Sequence, residues 1–223
     1  MPEIPISFAR PWAIRQPSLT RYVEEEWVDD FLKNGNLRLS SFKAFRAHPD
    51  EFQGDKHEGG INMEIKTPSG THRHVGRNVQ KAFVLCTSTV EGLDSAASFD
   101  SSYGFLINNS TAFANAISRQ IPGFIGGAEG LCCYSQSDSI DISIPDFIRS
   151  PVHSDKSGKC LDQEFEDYDK RISTYLRESF FRKHISYADQ HEYRFVWFTN
   201  GFEQDYLDIC SPEAVQFCEK IAV

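Results

Sequence analysis

The chain has 223 residues, 40% hydrophobic and 25% charged, which is ordinary usage for a globular protein that buries its core without disulfides or metals. Its 32 acidic and 23 basic residues give a net charge of −9, which argues against a protein that coats nucleic acid nonspecifically. A nucleic-acid substrate is still compatible with this charge, because a local basic patch is enough to bind one.

Targeting signals and metal-binding spacings are not visible in the sequence. The opening residues show no basic stretch followed by an apolar segment, and no apolar run approaches the roughly 20 residues that cross a bilayer. We therefore expect a cytoplasmic protein with no membrane partner and with its six cysteines reduced. The cysteines form no CxxC pair, and we expect no bound metal.

The first half of the chain predicts short strands alternating with short helices. Residues 1–17 are expected to form an N-terminal arm. After the arm, hydrophobic periodicity and turn residues predict a strand over 19–23, a helix over 24–33, a strand around 37–39, a short helix over 42–47, a hairpin over 61–66 and 71–75, and a buried strand over 81–87.

The second half predicts a similar mixture without a regular βαβ order. The pattern indicates a strand over 104–108, a helix over 111–119, a glycine-rich loop over 123–130, a strand pair over 131–135 and 139–144, a helix over 165–182, a turn over 187–190, a strand over 192–199, an extended piece over 202–209 and a closing helix over 212–221. We therefore expect a single α+β domain over residues 1–223.

The first candidate catalytic element is Gln190-His191-Glu192, at the head of the last long strand. If the strand begins near Gln190, the amide of Gln190 and the carboxylate of Glu192 point to the same face. A carboxylate there can stabilise positive charge that develops on a sugar, and an amide can orient an acceptor. The alternative is a surface glutamate at the strand start that caps it or pairs with Arg194. Because an exposed glutamate at a strand end contributes little to stability, Glu192→Ala is expected to leave the fold intact.

The second candidate element is Arg21-Tyr22, in the first predicted strand. An arginine can hold a diphosphate through forked hydrogen bonds, and a tyrosine can stack on a flat heteroaromatic ring. The alternative is that Arg21 pairs with the acidic run that follows it.

Two further segments carry polar groups that suit a ligand. Thr87-Ser88-Thr89 places three small hydroxyl side chains at the end of a buried strand, where they can bind a sugar or cap a turn. Arg46 precedes the glycine-containing stretch 54–60, which can order around a ligand or form a plain loop. This stretch lacks both the P-loop and the GxGxxG pattern, so ATP and Rossmann-type readings are not supported.

Taken in chain order, these motifs resemble the arginine–serine–glutamate branch of the ADP-ribosyltransferase fold. Arg21 matches the family's first-strand arginine, and Gln190-His191-Glu192 matches its Gln/Glu-x-Glu motif. Thr87-Ser88-Thr89 departs from the family's Ser-Thr-Ser motif and leaves Ser88 as the only serine in register. Residues 31–46, with the acidic and glycine residues of 54–59, are similar to a family of bacterial proteins often tied to phage defence, which includes a toxin.

The resemblance implies a split, mixed or antiparallel β-sheet core with flanking helices and NAD as the substrate. Glu192 would stabilise the sugar and Gln190 would place the acceptor. The NAD-binding residues would be Arg21 on the diphosphate, Tyr22 on the nicotinamide ring, Ser88 against Glu192 or the ribose, and also Thr87 and Arg46.

The resemblance also implies partners. RNA is the expected acceptor, with a basic surface drawn from Arg73, Arg77, Lys81, Arg182 and Lys183, and an antitoxin and a chaperone are possible protein partners. Three alternatives remain open: an NAD glycohydrolase on the same fold, a binding or sensor module that does not catalyse, and a nuclease that uses His184, His191 and Glu192.

Overall fold

A computed structural model describes the chain over residues 18–47, 60–67, 70–77, 81–90, 101–136, 139–143, 179–201 and 204–222. For residues 60–67, 70–77 and 139–143 the description covers the backbone only. These segments form a mixed α and β structure whose sheets are mostly antiparallel, which confirms the α+β class. No helix within these segments has the length and apolar character needed to cross a membrane.

The first half follows the predicted order closely. It contains β1 (Leu19–Tyr22), α1 (Glu25–Asn34), β2 (Asn36–Ser41), α2 (Phe42–Ala47), β3 (Gly60–Thr67), β4 (Gly70–Arg77) and β5 (Ala82–Ser88). Gly35 ends α1 with a φ of 78°, a left-handed conformation that glycine adopts without steric cost. A side chain could not replace its hydrogen, because a Cβ at Gly35 would lie 2.5 Å from the backbone nitrogen of Pro212.

The second half contains more strand than the sequence predicts. It comprises β6 (Tyr103–Ile107), α3 (Ser110–Ser118), β7 (Phe124–Leu131), β8 (Cys133–Ser135), β9 (Ser139–Ser143), a short 3-10 helix (Ser179–Phe181), β10 (Arg182–His184), a second 3-10 helix (Ile185–Gln190), β11 (Glu192–Thr199), β12 (Tyr206–Cys210), α4 (Pro212–Val215) and β13 (Cys218–Ala222).

Strand β5 is the axis of an eight-stranded sheet. Along one edge it pairs antiparallel with β11 over its whole length, and β11 pairs in turn with β7. Two strands share its other edge: β2 pairs at Phe83 and Val84, and β1 pairs at Ser88. The sheet therefore splits between β1, which continues to β6 and β13, and β2, which continues to β12.

Each face of β5 packs into a different core. Phe83 and Leu85 belong to the larger core, which also receives α1 and α3, and Val84 belongs to a smaller core on the opposite face. Directly paired residues of neighbouring strands share a face. Since Glu192 is opposite Ser88, the polar end of β11 lies on the smaller-core face.

The glycine-rich segment 123–130 was expected to be a loop, and this prediction is wrong. Residues Phe124–Leu131 form β7, which runs antiparallel to β11. Glycine has a low intrinsic preference for strands, but the ladder to β11 provides backbone hydrogen-bond partners that a local pattern does not reveal. Gly127 suits this close pairing, because a Cβ there would lie 3.0 Å from the carbonyl oxygen of Val196.

The predicted closing helix over 212–221 is also wrong in its second half. The helix stops at Val215, and Cys218–Ala222 form β13, which pairs with β6. The free edge of β6 offers five residues a ladder that competes with continued helix.

Two other assignments need correction. The strands expected over 131–135 and 139–144 exist as β8 and β9, but they do not pair with each other: β8 pairs parallel with β10, and β9 pairs parallel with β3. Of the helix expected over 165–182, residues 165–178 lie outside the described segments. Residues 179–181 form a 3-10 turn and Arg182 begins a strand.

Candidate functional site

The three polar motifs meet in one row across adjacent strands. Thr20 on β1 is opposite Ser88 on β5, and Ser88 is opposite Glu192 on β11. Arg21 follows Thr20, and its Nη1 donates a hydrogen bond of 2.8 Å to the carbonyl oxygen of Cys86. The row lies where β1 and β2 part, so residues from distant parts of the sequence converge at the split in the sheet.

Glu192 is buried and bonded to two cations. Its side chain is 1% exposed, and its Oε2 lies 2.6 Å from Nζ of Lys183. Its Oε1 accepts a hydrogen bond from Nε of Arg194, which is equally buried. The pairing with Arg194 is therefore present, but inside the protein, and the expectation of a surface glutamate is wrong.

The two cations determine the charge state of Glu192. Burial by itself would raise the pKa of this carboxyl, because a charged group loses its hydration. The positive charges of Arg194 and Lys183, with the hydrogen bond from Arg194, outweigh burial and hold the pKa well below its usual range. Glu192 is consequently anionic at neutral pH.

This low pKa predicts a specific loss of stability in acid. An unfolded glutamate titrates near a pKa of about 4.3, and Glu192 in the folded chain titrates below that. Its contribution to stability is therefore complete above about pH 5 and is lost as the pH falls through about 4 and lower. Urea unfolding from pH 7 to pH 3 should show a steeper loss of the unfolding free energy in the wild type than in Glu192→Gln. Parallel curves for the two proteins would contradict the buried ion pairs.

The sequence predicts Gln190 on the same strand as Glu192, whereas in the structure its side chain comes close to Glu192 from outside that strand. Gln190 is the last residue of the second 3-10 helix, not part of β11, and it is buried. His191 then adopts a left-handed conformation with φ of 45° before β11 begins at Glu192. Despite this turn, Oε1 of Gln190 lies 2.7 Å from Nζ of Lys183 and therefore shares its donor with Glu192.

Backbone contacts from two strands fix the position of Gln190 and Glu192. The amide of Glu192 donates to the hydroxyl of Tyr134 at 2.7 Å, and the amide of Cys132 donates to the carbonyl oxygen of Glu192 at 2.9 Å. The hydroxyl of Ser88 donates to the carbonyl oxygen of Gln190 at 2.9 Å. Burial raises the pKa of Tyr134 to about 12, so its hydroxyl stays neutral at this contact.

The hydroxyl groups on β5 bond mainly to backbone. Ser88 is fully buried, and its oxygen also accepts from the amide of Val90 at 3.2 Å. Thr87 is buried too, and its hydroxyl donates to the carbonyl oxygen of Tyr193 at 2.9 Å. Ser88 therefore holds Gln190 in position through the carbonyl oxygen of Gln190. The observed bonds of Ser88 match the alternative in which these hydroxyl groups cap a turn.

Arg21 also lines a cleft of about 650 Å³ beside the split in the sheet. This volume is within the range of small-molecule and cofactor sites. The cleft lies among α1, β2, β6 and β12, and its described lining includes Trp27, Arg38, Phe105 and Asp208. Ser88 and Glu192 are not among the described residues that line it, so Arg21 is what joins the cleft to the row of polar motifs.

The other predicted NAD residues have different positions. Tyr22 is buried, and its hydroxyl donates to the carbonyl oxygen of Val90 at 3.1 Å. Arg46 lies in α2 and is half-buried. Residues 54–59 of the predicted ligand loop lie outside the described segments.

The predicted basic surface is divided. Lys183 contacts Glu192 directly, and its neighbour Arg182 donates to the hydroxyl of Ser135 at 3.1 Å. Lys81 precedes the opposite end of β5 from Ser88, roughly 20 Å away at the usual rise of a strand. For Arg73 and Arg77 the structure describes the backbone and not the side chain. Among the described members, only Arg182 and Lys183 belong to the Glu192 end.

Lys183 is the main functional candidate whose position the sequence did not indicate. The sequence places it in a basic cluster, and its contact with Glu192 depends on the pairing of β10 with β8. No protein-family model, curated protein or solved structure matches the chain. The functional proposal therefore depends on the order of the motifs and on the geometry of the site.

Proposed function

We propose that this protein is an NAD-dependent ADP-ribosyltransferase that transfers ADP-ribose to RNA and acts as a toxin in defence against phage. The observation that carries the proposal is the row in which Thr20, Ser88 and Glu192 lie opposite one another at the split in the sheet, with Arg21 next to this row and hydrogen-bonded to the carbonyl oxygen of Cys86. The resemblance to the family depends on the order of these motifs in the sequence. In the folded chain the same motifs are also neighbours in space. The motifs also resemble the messenger-RNA-modifying toxin CmdT, which belongs to a toxin–antitoxin–chaperone system.

In the proposed reaction, the bond between nicotinamide and ribose breaks and nicotinamide leaves with the bonding electron pair. The sugar gains oxocarbenium-like positive charge, which Glu192 stabilises through a ribose hydroxyl. Because its pKa is held low, the carboxylate is already anionic before the reaction. A nucleophilic atom of the acceptor, oriented by Gln190, then bonds to the sugar carbon and loses its proton.

The cleft would hold the diphosphate of NAD at Arg21, and the nicotinamide ribose would reach past the split in the sheet to Glu192, which does not line the cleft. Arg21 would hold the diphosphate, and the exposed ring of Trp27, which is 54% accessible, gives the cleft a flat apolar wall. Tyr22 would need to turn out of its buried position to stack on nicotinamide. Ser88 and Thr87 would act through the backbone they brace, and Arg46 remains a predicted NAD contact.

An RNA acceptor fits the local charge better than the total charge. The chain as a whole carries −9, but in the described part of the site three cations, Arg21, Lys183 and Arg194, lie around the carboxylate of Glu192. An excess of positive charge at the site attracts a polyanion. An antitoxin and a chaperone are the protein partners that the toxin proposal implies.

The test is incubation of the protein with NAD labelled in the adenylate part and, separately, with RNA, DNA or a protein extract. The expected result is nicotinamide release with label carried into RNA. Release of free ADP-ribose without any acceptor would identify a glycohydrolase, and label in DNA or protein would change the acceptor. Cleavage of RNA without NAD would identify a nuclease.

One observation favours a second candidate, a binding or sensor module that does not catalyse. Both oxygens of Glu192 are occupied, and the carboxylate is 1% exposed. A module of this kind would bind NAD, or a related nucleotide, without releasing nicotinamide. Calorimetric binding of NAD with no turnover over hours would support it.

A further inference from the structure

Lys183 occupies a position that no motif of the sequence accounts for. It lies on β10, which forms a small parallel sheet with β8. Its side chain is 9% exposed, and its Nζ lies 2.6 Å from Oε2 of Glu192 and 2.7 Å from Oε1 of Gln190. The same ammonium group lies 4.7 Å from the ring centroid of Tyr187.

These contacts make Lys183 the group that joins the two side chains. Gln190 ends a 3-10 helix and Glu192 begins a strand, and the left-handed turn at His191 separates them. The backbone alone therefore does not place their side chains together as a continuous strand would. An ammonium group has three donors and no acceptor, so it can bind the amide oxygen and the carboxylate at once.

The second cation on Glu192 has a different character. Arg194 is 1% exposed and its Nη1 donates to the carbonyl oxygen of Phe180 at 2.7 Å, so it belongs to the smaller-core face. Lys183 is the more accessible of the two cations bonded to the carboxylate. A sugar that reaches Glu192 would accordingly approach on the Lys183 side.

We propose that Lys183 is a positioning residue that ties the amide of Gln190 and the carboxylate of Glu192 into one preorganised unit. The carboxylate then faces the sugar and the amide faces the acceptor at a fixed separation during transfer. This inference rests on the proposed transferase function, in which those two groups act on the two reactants.

The kinetic test compares Lys183→Met, which has similar length and no charge, with Lys183→Arg, which keeps the cation. Lys183→Met should lower kcat about 10- to 100-fold and change KM for NAD by less than about 3-fold, because misplaced reacting groups affect the transition state more than binding. Lys183→Arg should recover part of kcat. Lys220→Met is the matched control, since Lys220 pairs with Glu25 and Asp29 on the surface of α1 and should leave kcat unchanged.

The pH profile separates positioning from a general loss of structure. Lys183 is one of two cations that lower the pKa of Glu192, so its removal raises that pKa. The acid limb of the kcat profile should therefore move to higher pH in Lys183→Met and stay in place in Lys220→Met. An unchanged kcat and an unmoved acid limb in Lys183→Met would overturn the proposal, as would Lys183→Arg behaving like Lys183→Met.

A direct titration keeps this inference separable from the transferase proposal. In protein with 13C-labelled glutamate, the carboxyl resonance of Glu192, assigned by its absence in Glu192→Gln, should titrate at higher pH in Lys183→Met than in the wild type. This measurement needs no NAD turnover. If the wild type does not turn over NAD but the Glu192 resonance still titrates at higher pH in Lys183→Met, the transferase proposal fails and the link through Lys183 stands. An unshifted titration in Lys183→Met would overturn the link.

Discussion

Glu192→Gln is expected to lower the rate of ADP-ribose transfer by about 10²- to 10³-fold, the usual loss when a group that stabilises transition-state charge is removed. The amide of glutamine has nearly the same shape as the carboxylate but supplies no negative charge to the developing sugar cation. The measurement is single-turnover transfer of label from NAD under saturating acceptor. Glu219→Gln, a substitution of the exposed glutamate on β13, is the control that should transfer at the wild-type rate.

Because Glu192 is buried, the effect of Glu192→Gln must also be measured in a protein that lacks Arg194. Glu192→Gln removes the carboxylate that Arg194 and Lys183 share, and the protein loses stability for a reason unrelated to catalysis. Arg194→Met retains Glu192 with Lys183, so it can be compared with Arg194→Met/Glu192→Gln, in which the buried charges are removed together. Transfer by the double variant at the rate of Arg194→Met would exclude Glu192 from the reaction.

Arg194→Met is expected to lower the free energy of unfolding by about 3 to 5 kcal/mol, the cost of breaking a buried ion pair by removing one partner. The methionine side chain fits among apolar neighbours, but it cannot neutralise the buried carboxylate or donate to the carbonyl oxygen of Phe180. Urea unfolding at pH 7 measures the loss. Arg38→Met serves as the comparison, because Arg38 and Asp208 form an exposed pair that should contribute about 1 kcal/mol or less.

The pair with Glu192 can be measured by a double-mutant cycle. Arg194→Met/Glu192→Gln should be less destabilised than the sum of the two single variants, because the interaction between Arg194 and Glu192 is lost only once in the double variant and is counted twice in the sum. Additive losses would mean that the two side chains do not interact in solution. The same four proteins provide the activity comparison described above.

Local pattern was sufficient for the elements whose signal lies in their own residues. Helix α1 follows from its apolar spacing and from Gly35, and β5 and β11 follow from runs of buried apolar residues. It failed for β7 and β13, whose residues have little strand preference of their own. Both are strands because a neighbouring strand, β11 for β7 and β6 for β13, offers them a ladder of backbone hydrogen bonds.

The candidate site shows the same division. Motif order in the sequence selected Arg21, Ser88, Gln190 and Glu192, and strand pairing brings them to one end of the sheet. The sequence did not indicate that Glu192 is buried between two cations. Lys183 became a partner of Gln190 and Glu192 only through the parallel pairing of β8 with β10.

The sequence by itself determined which residue types stand at the ends of the strands, the α+β class and the boundaries of the strongly patterned elements, because these depend on near neighbours and on the two backbone periods. Only the tertiary structure decided where the sheet splits, the cleft beside Arg21 and the charge environment of Glu192. These features depend on the register between strands far apart in the chain. The low pKa of Glu192 is the clearest case, since burial and the two neighbouring cations act in opposite directions and only their spatial arrangement decides which effect prevails.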